Sequence, residues 1–190
     1  EITFLPGASL EDFEDTMTQV AADYASKGEK ALVIPLGASD ATGTLGYAWS
    51  VKEMMAQFDD MDWTPDHIVV GCGSGGTLAG LLLGKELFGL SSKIWGINVR
   101  ADAEYFQQTA VEIYAEFANE YGYQAQIKSS DVKMIDGYVG AGYAISGPAE
   151  MGVIAEVARE EALLLDTAYT GKAFYGLSQE IQKEVFIKEE

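Results

Sequence analysis

Glycines at 71, 73, 75 and 76, interleaved with Cys72 and Ser74 and followed by Thr77, separate the apolar run Ile68-Val69-Val70 from the apolar start Leu78-Ala79. The order reads as strand, turn and helix start, which makes a cradle for an anion. Glycine admits left-handed backbone and close approach of a ligand, and the first amides of the following helix have no partner inside it. Ser74 and Thr77 add hydroxyl donors. A phosphorylated ligand is the expectation, although a plain tight strand-to-helix turn uses the same residues.

Gly71, Gly73 and Gly76 also match the Gly-x-Gly-x-x-Gly spacing of dinucleotide-binding turns. That fingerprint wants an acidic residue at the end of the next strand. Here Val99-Arg100 stands there with Asp102 just beyond, so Arg100 would meet a 2'-phosphate instead. The fingerprint also belongs to the first strand of its domain, whereas at least two strand-helix units precede this one. Other reactive types are sparse. Cys72, the one cysteine, reads as a small buried hydrophobe at a strand end. His67, the one histidine, has no ligand cluster around it in sequence, so no metal is implied.

Composition sets the frame for these residues. The chain has 190 residues, 48% of them apolar, enough for a substantial core in a single unit over 1–190. Thirty acidic against twelve basic residues give a formal charge of -18, which argues against nucleic acid and anionic membrane surfaces as partners. Local positive potential must then come from backbone amides and helix ends. One cysteine allows no internal disulfide, and a cytoplasmic location is expected. The longest apolar stretch, Leu78 to Leu83, is far too short to span a bilayer, and the start at Glu1-Ile2-Thr3 has neither initiator Met nor basic leader.

Strand and helix alternate: strand Ile2 to Leu5, helix Leu10 to Ser26, strand Ala31 to Ile34, helix Leu45 to Phe58, strand Ile68 to Val70, helix Thr77 to Phe88, strand Ile94 to Val99. Such alternation predicts a parallel sheet with helices on both faces, an α/β fold of three layers. Ser9 with Asp12 resembles a capping pair, and Gly28 stops the first helix near Lys27. Asp102 caps a helix to Tyr121 whose apolar residues look too spread for one stripe, so burial on more than one side is expected. From Gly122 to Gly147 the periodicity fades, and an irregular segment of that length in a compact fold is usually functional. Helical order returns over Pro148 to Glu161, and the turn Asp166 to Lys172 leads into a last helix through Lys183.

Four ordered stretches carry a family likeness: Ile34 to Tyr47 with Gly37-Ala38-Ser39-Asp40, Gly73-Ser74-Gly75-Gly76-Thr77, Asp136 to Ile145 with Gly140-Ala141-Gly142-Tyr143, and Ala158 to Ala173 with Tyr169-Thr170-Gly171-Lys172. Together they resemble the D-cysteine desulfhydrase and 1-aminocyclopropane-1-carboxylate deaminase branch of the fold-type II pyridoxal-phosphate enzymes, which are tryptophan synthase beta-like. The resemblance implies pyridoxal 5'-phosphate with its phosphate at Gly73, Ser74, Gly75, Gly76 and Thr77, its ring an electron sink for an amino-acid carbanion. It also implies that Tyr143 and Tyr169 approach a small amino-acid substrate. A phenol there donates a hydrogen bond to a carboxylate or, with a lowered pKa, exchanges a proton. The plainer alternative is a partly buried aromatic whose hydroxyl finds a backbone partner.

The expected activity is that of a lyase or deaminase such as D-cysteine desulfhydrase, giving pyruvate, ammonia and hydrogen sulfide. The family's cofactor-binding lysine, in an Asn-Lys context, and its Ser-Asn-His segment find no match, since Asn98 and Asn119 precede Val and Glu. The chain is therefore expected to be a segment cut at both ends, inactive alone and prone to self-association through an unpaired sheet edge, with a homo-oligomer as the assembled form. Lys172 is set aside as the cofactor lysine. Ala38 stands where the family commonly has glycine and Asp40 where it has asparagine, changes that would weaken cofactor binding or shift substrate preference. The alternative to an enzyme is a non-catalytic α/β module that binds a phosphorylated ligand or NAD(P) through the Gly71 to Gly76 loop.

Overall fold

The computed structural model describes residues 2–186 apart from Ala8 and Ala125; Glu1 and residues 187–190 lie outside the described residues. The chain forms two compact units, one up to Ala38 and one from Ser39 onward.

In the first unit, α1 (Leu10–Ser26) begins where expected. Ser9 accepts from the amide of Asp12 at 3.2 Å and gives its own amide to the Asp12 carboxylate at 2.7 Å, a reciprocal cap. The two strands expected at Ile2–Leu5 and Ala31–Ile34 are not strands: both are irregular and enter no ladder among the described residues. Apolar content permits an extended conformation, but only a hydrogen-bonded neighbour turns it into a strand. Leu32 is 86% exposed and Ile34 62% exposed, beside a groove of about 370 Å³ lined by Leu5, Phe13, Met17 and Val20. Ala38 has φ +50, left-handed backbone in which a Cβ is strained. A glycine at this position would carry no such penalty.

The second unit contains α2 (Ala41–Asp60), β1 (His67–Cys72), α3 (Gly76–Phe88), β2 (Lys93–Asn98), α4 (Ala103–Tyr121), β3 (Lys133–Ile135), α5 (Pro148–Glu160) and α6 (Thr170–Gln182). The strands form one parallel sheet in the order β1-β2-β3, with Val69 opposite Trp95 and Trp95 opposite Lys133. Alternate side chains leave on opposite faces. Ile68, Val70, Cys72, Ile94 and Met134 join a core with α2, α3 and α4, while Val69, Trp95, Ile97 and Ile135 meet Tyr138, Tyr175 and Leu177. The parallel sheet covered on both faces is thus the fold class that alternation predicts.

Three local readings need correction. β3, inside the segment expected to be irregular, has three residues, too few to show an alternating pattern. α2 starts at Ala41 rather than Leu45, because the Asp40 carboxylate accepts the Gly43 amide at 2.7 Å and so begins the helix through two glycines. In α4 the buried residues Phe106, Ala110, Ile113, Tyr114 and Phe117 fall on a single stripe, while Tyr105 and Tyr121 point outward. Asp102 caps this helix as expected, accepting the Tyr105 amide at 2.8 Å.

α2 and α3 approach closely at small residues. A Cβ on Gly80 would lie 2.6 Å from the Thr44 carbonyl oxygen and 2.7 Å from Cβ of Tyr47. This contact brings Ser39, just before α2, against the start of α3.

Candidate functional site

β1 ends at Cys72, and the chain turns through Gly73, Ser74 and Gly75 into α3. Gly75, at φ +91, is the N-cap residue and supplies no side-chain cap. Gly76 donates its amide to Ser39 Oγ at 3.2 Å. Among the described residues the amides of Ser74, Gly75 and Thr77 and the hydroxyls of Ser74 and Thr77 have no hydrogen-bond partner. Gly73, Gly75 and Gly76 are buried, whereas Ser74 and Thr77 are half-buried.

The glycines are required by the protein's own packing as well as by any ligand. A Cβ on Gly73 would lie 2.5 Å from Cε2 of Tyr169, one on Gly71 2.8 Å from Cε1 of the same ring, and one on Gly76 2.6 Å from Ser39 Oγ. Tyr169 therefore lies against the turn, and its hydroxyl donates to the Gly71 carbonyl at 2.8 Å. Burial pushes the phenol up to about 12, reinforced by the neighbouring Cys72 and by Tyr143 and Tyr47 and opposed by the Gly73 amide. At neutral pH it is a donor and not a base. The route in which a lowered pKa lets this phenol exchange a proton is therefore not the one its surroundings favour.

Asp166 fixes Tyr169 from the other side. Its carboxylate accepts the amides of Ala168 at 2.8 Å, Tyr169 at 2.6 Å and Thr170 at 2.9 Å, and the Thr170 hydroxyl as well. Partial burial raises its pKa, but the Thr170, Tyr169 and Ala168 hydrogen bonds prevail and hold it at about 2.

A second loop, 136–147, follows β3 and carries Tyr143, which is 49% exposed. Lys172, the residue after Gly171 in α6, is wholly buried beneath this loop. Its ammonium donates to the carbonyls of Val139 at 2.6 Å and Gly142 at 3.0 Å. Glu150, also buried, accepts the Gly147 amide at 3.0 Å, and both Glu150 and Lys172 border Gly140, which sits at φ +63. The loop's start is tied by Asn98, whose amide donates to Asp136 at 2.8 Å, and by Tyr138, whose hydroxyl donates to Glu180 and receives Lys183 at 3.1 Å. The structure thus gives Lys172 a place as a loop anchor, in keeping with its rejection as the cofactor lysine.

Tyr143 and Tyr47 both lie within electrostatic reach of Tyr169, the ring packed against the glycine turn. Tyr47 ends the Ile34 to Tyr47 stretch, but a tyrosine two turns into a helix carries no local signal of its neighbours. Ser39 lies in a longer motif and gives no local signal of its contact with Gly76, while Asp40 caps α2. Arg100, weighed only as a 2'-phosphate ligand, donates from Nε to the Gly73 carbonyl. Cys72 is 2% exposed, the buried hydrophobe expected, and His67 accepts the Trp95 indole N–H at 3.0 Å.

These donors fit a phosphate monoester. The turn offers several unpartnered amides and two free hydroxyls at a helix start, which is the chemistry of phosphate capture without lysine contacts. The family profile described as "Pyridoxal-phosphate dependent enzyme" matches residues 2–189. The bifunctional D-cysteine desulfhydrase/1-aminocyclopropane-1-carboxylate deaminase of Arabidopsis thaliana is 37% identical over 162 residues, covering 83% of this chain and 38% of that protein. The D-cysteine desulfhydrase of Yersinia enterocolitica is 30% identical over 177 residues, 93% of this chain and 53% of that one. A crystal structure of an ACC deaminase homologue superposes with TM-score 0.83 at 30% identity, over 97% of this chain and 55% of its own. The chain thus spans about half the length or less of these relatives. The dinucleotide reading gains no support from them. With a profile match over almost its whole length, the chain belongs to the pyridoxal-phosphate-dependent enzymes.

Proposed function

We infer that this chain contributes the phosphate-binding turn and substrate-facing tyrosines of a pyridoxal-phosphate-dependent lyase or deaminase acting on a small amino acid, D-cysteine foremost, with pyruvate, ammonia and hydrogen sulfide as products. The observation that carries this reading is the set of unpartnered donors at Ser74, Gly75 and Thr77, within a chain whose relatives bear those names. When bound, pyridoxal phosphate supplies an electron sink that stabilises negative charge at the amino-acid α-carbon.

The residues of this chain hold and orient. Ser74, Gly75 and Thr77 bind phosphate oxygens, while Ser39, by engaging the Gly76 amide, keeps the turn in one conformation. Tyr169 holds its proton and stiffens the turn through the Gly71 carbonyl. Tyr143, half-exposed on the 136–147 loop, offers its phenol to the substrate carboxylate. A cytoplasmic setting suits the single buried cysteine, and the exposed Leu32 and Ile34 suit self-association. Among the described residues no helix is long and apolar enough to cross a membrane.

Equilibrium dialysis against pyridoxal 5'-phosphate tests the cradle. Saturable binding that inorganic phosphate competes away and Gly76→Val abolishes is expected, because the added side chain collides with Ser39. No saturable binding would overturn the reading. The substrate assignment is tested by pyruvate release from D-cysteine by the whole protein that carries this segment; intact D-cysteine after incubation with cofactor would remove it.

A further inference from the structure

Among the described residues Arg100 is a cation without a counter-ion. It follows β2, and Asn98 Oδ1 holds its backbone amide at 2.9 Å and that of Ala101 at 2.9 Å. The guanidinium lies over the Tyr105 ring, 5.0 Å from the centroid, and Nε donates to the Gly73 carbonyl. Among the described residues no carboxylate pairs with Arg100, and its Nη2 is buried with no hydrogen-bond partner. In a chain of charge -18, a guanidinium so placed and left un-neutralised is costly unless an anion completes it.

The peptide between Gly73 and Ser74 says where that anion sits. In a trans peptide the C=O and N–H point in opposite directions. Arg100 binds the carbonyl, so the Ser74 N–H is turned away from the guanidinium, and it is one of the amides with no partner. A hydrogen bond to the carbonyl oxygen also polarises the peptide and strengthens its N–H as a donor. Arg100 therefore stands behind the turn while the anion lies in front.

We propose that Arg100 is a positioning residue for phosphate capture, acting through the Gly73-Ser74 peptide and by its charge, so that the turn and the guanidinium form one anion site for phosphate monoesters. The proposal rests on the cradle reading above and adds to it the residue that sets its affinity. It also explains how a strongly acidic chain holds a dianion, since the local potential at the turn opposes the repulsive field of the whole.

Titration of the chain with inorganic phosphate and with pyridoxal 5'-phosphate, followed on the Ser74 amide in 1H–15N spectra, tests it. The unsubstituted chain should show a saturable downfield shift of that amide. Arg100→Gln should weaken both affinities by about tenfold, the order expected for loss of a charge-assisted contribution. Arg100→Lys, which keeps the charge, should stay within about threefold of the unsubstituted chain. Saturation with equal affinity in Arg100→Gln overturns the role of Arg100 and leaves the cradle standing. No shift in the unsubstituted chain overturns the cradle and the proposal together. Where Arg100→Gln loses a dispersed spectrum, Arg100→Lys decides: retained affinity supports the proposal, and a tenfold loss in a folded Lys variant overturns it.

Discussion

Two glycine-rich loops leave the carboxyl ends of parallel strands, and they are held by different means. The turn after β1 is fixed by close packing: the Tyr169 ring, Ala173 in the first turn of α6, and Ser39 lie so close to Gly71, Gly73 and Gly76 that a methyl group has no room. At the 136–147 loop after β3 the glycines are less crowded: nothing lies near Gly137, only Ile145 near Gly142, the ends of the Glu150 and Lys172 side chains near Gly140, and that of Glu150 near Gly147. It is fastened by side chains that arrive from distant positions, Lys172, Glu150, Asn98 and Glu180. The first loop is a rigid donor array, and the second is a tethered carrier for Tyr143. Rigid donors suit an invariant phosphate, whereas a tethered loop suits a substrate that must enter and leave.

The tether offers the largest way to break this contrast. Lys172→Met removes the donor for two part-buried carbonyls and leaves Glu150 without its cationic neighbour, so a loss of about 3 kcal/mol is expected in urea unfolding. Protease cleavage should concentrate within 136–147 while the β1 turn stays protected. Equal protection of both loops in the variant would show that side-chain tethering is not what distinguishes them.

Removing the Tyr169 hydroxyl touches the other loop more gently. Tyr169→Phe keeps the ring against Gly71 and Gly73 but deletes the bond to the Gly71 carbonyl, with about 1 kcal/mol lost. Phosphate affinity should change little if ring packing rather than the hydroxyl shapes the turn. A variant that binds no phosphate would shift the weight from packing to hydrogen bonding.

The smallest effect is a pH dependence at the corner the two loops share. Asp166 holds the turn that places both Tyr169 and Lys172, and its pKa falls from an ordinary 3.8 to about 2 on folding. A depressed carboxylate stabilises the fold above its unfolded pKa and loses that contribution as pH falls through the folded value. Melting temperature should therefore decline between about pH 4 and pH 2, and Asp166→Asn should flatten that part of the profile. An unchanged slope in the variant would assign the acid sensitivity to other carboxylates.

The β1 turn was legible in sequence because its requirements are local: glycines at fixed intervals, flanked by an apolar strand and an apolar helix start. Ser9, Asp12 and Asp102 were legible for the same reason, since a cap acts on amides two or three residues away. The tether was not legible. Nothing near Lys172 in sequence says that its ammonium ends on Val139 and Gly142, over thirty and thirty residues away respectively. The segments at 2–5 and 31–34 show the converse error, because strand-like composition was read where no ladder forms.

Composition and spacing alone determined an α/β chain with a glycine-rich strand-to-helix turn and a strong acidic excess, because residue type, helix capping and glycine conformation act over a few bonds. Tertiary structure alone decided that Arg100 donates to the Gly73 carbonyl with no carboxylate partner among the described residues, that Ser39 closes on Gly76, and that Lys172 serves as an anchor. Those contacts depend on which helices cross and how closely, and that geometry exists only once the sheet and its two covering layers have packed.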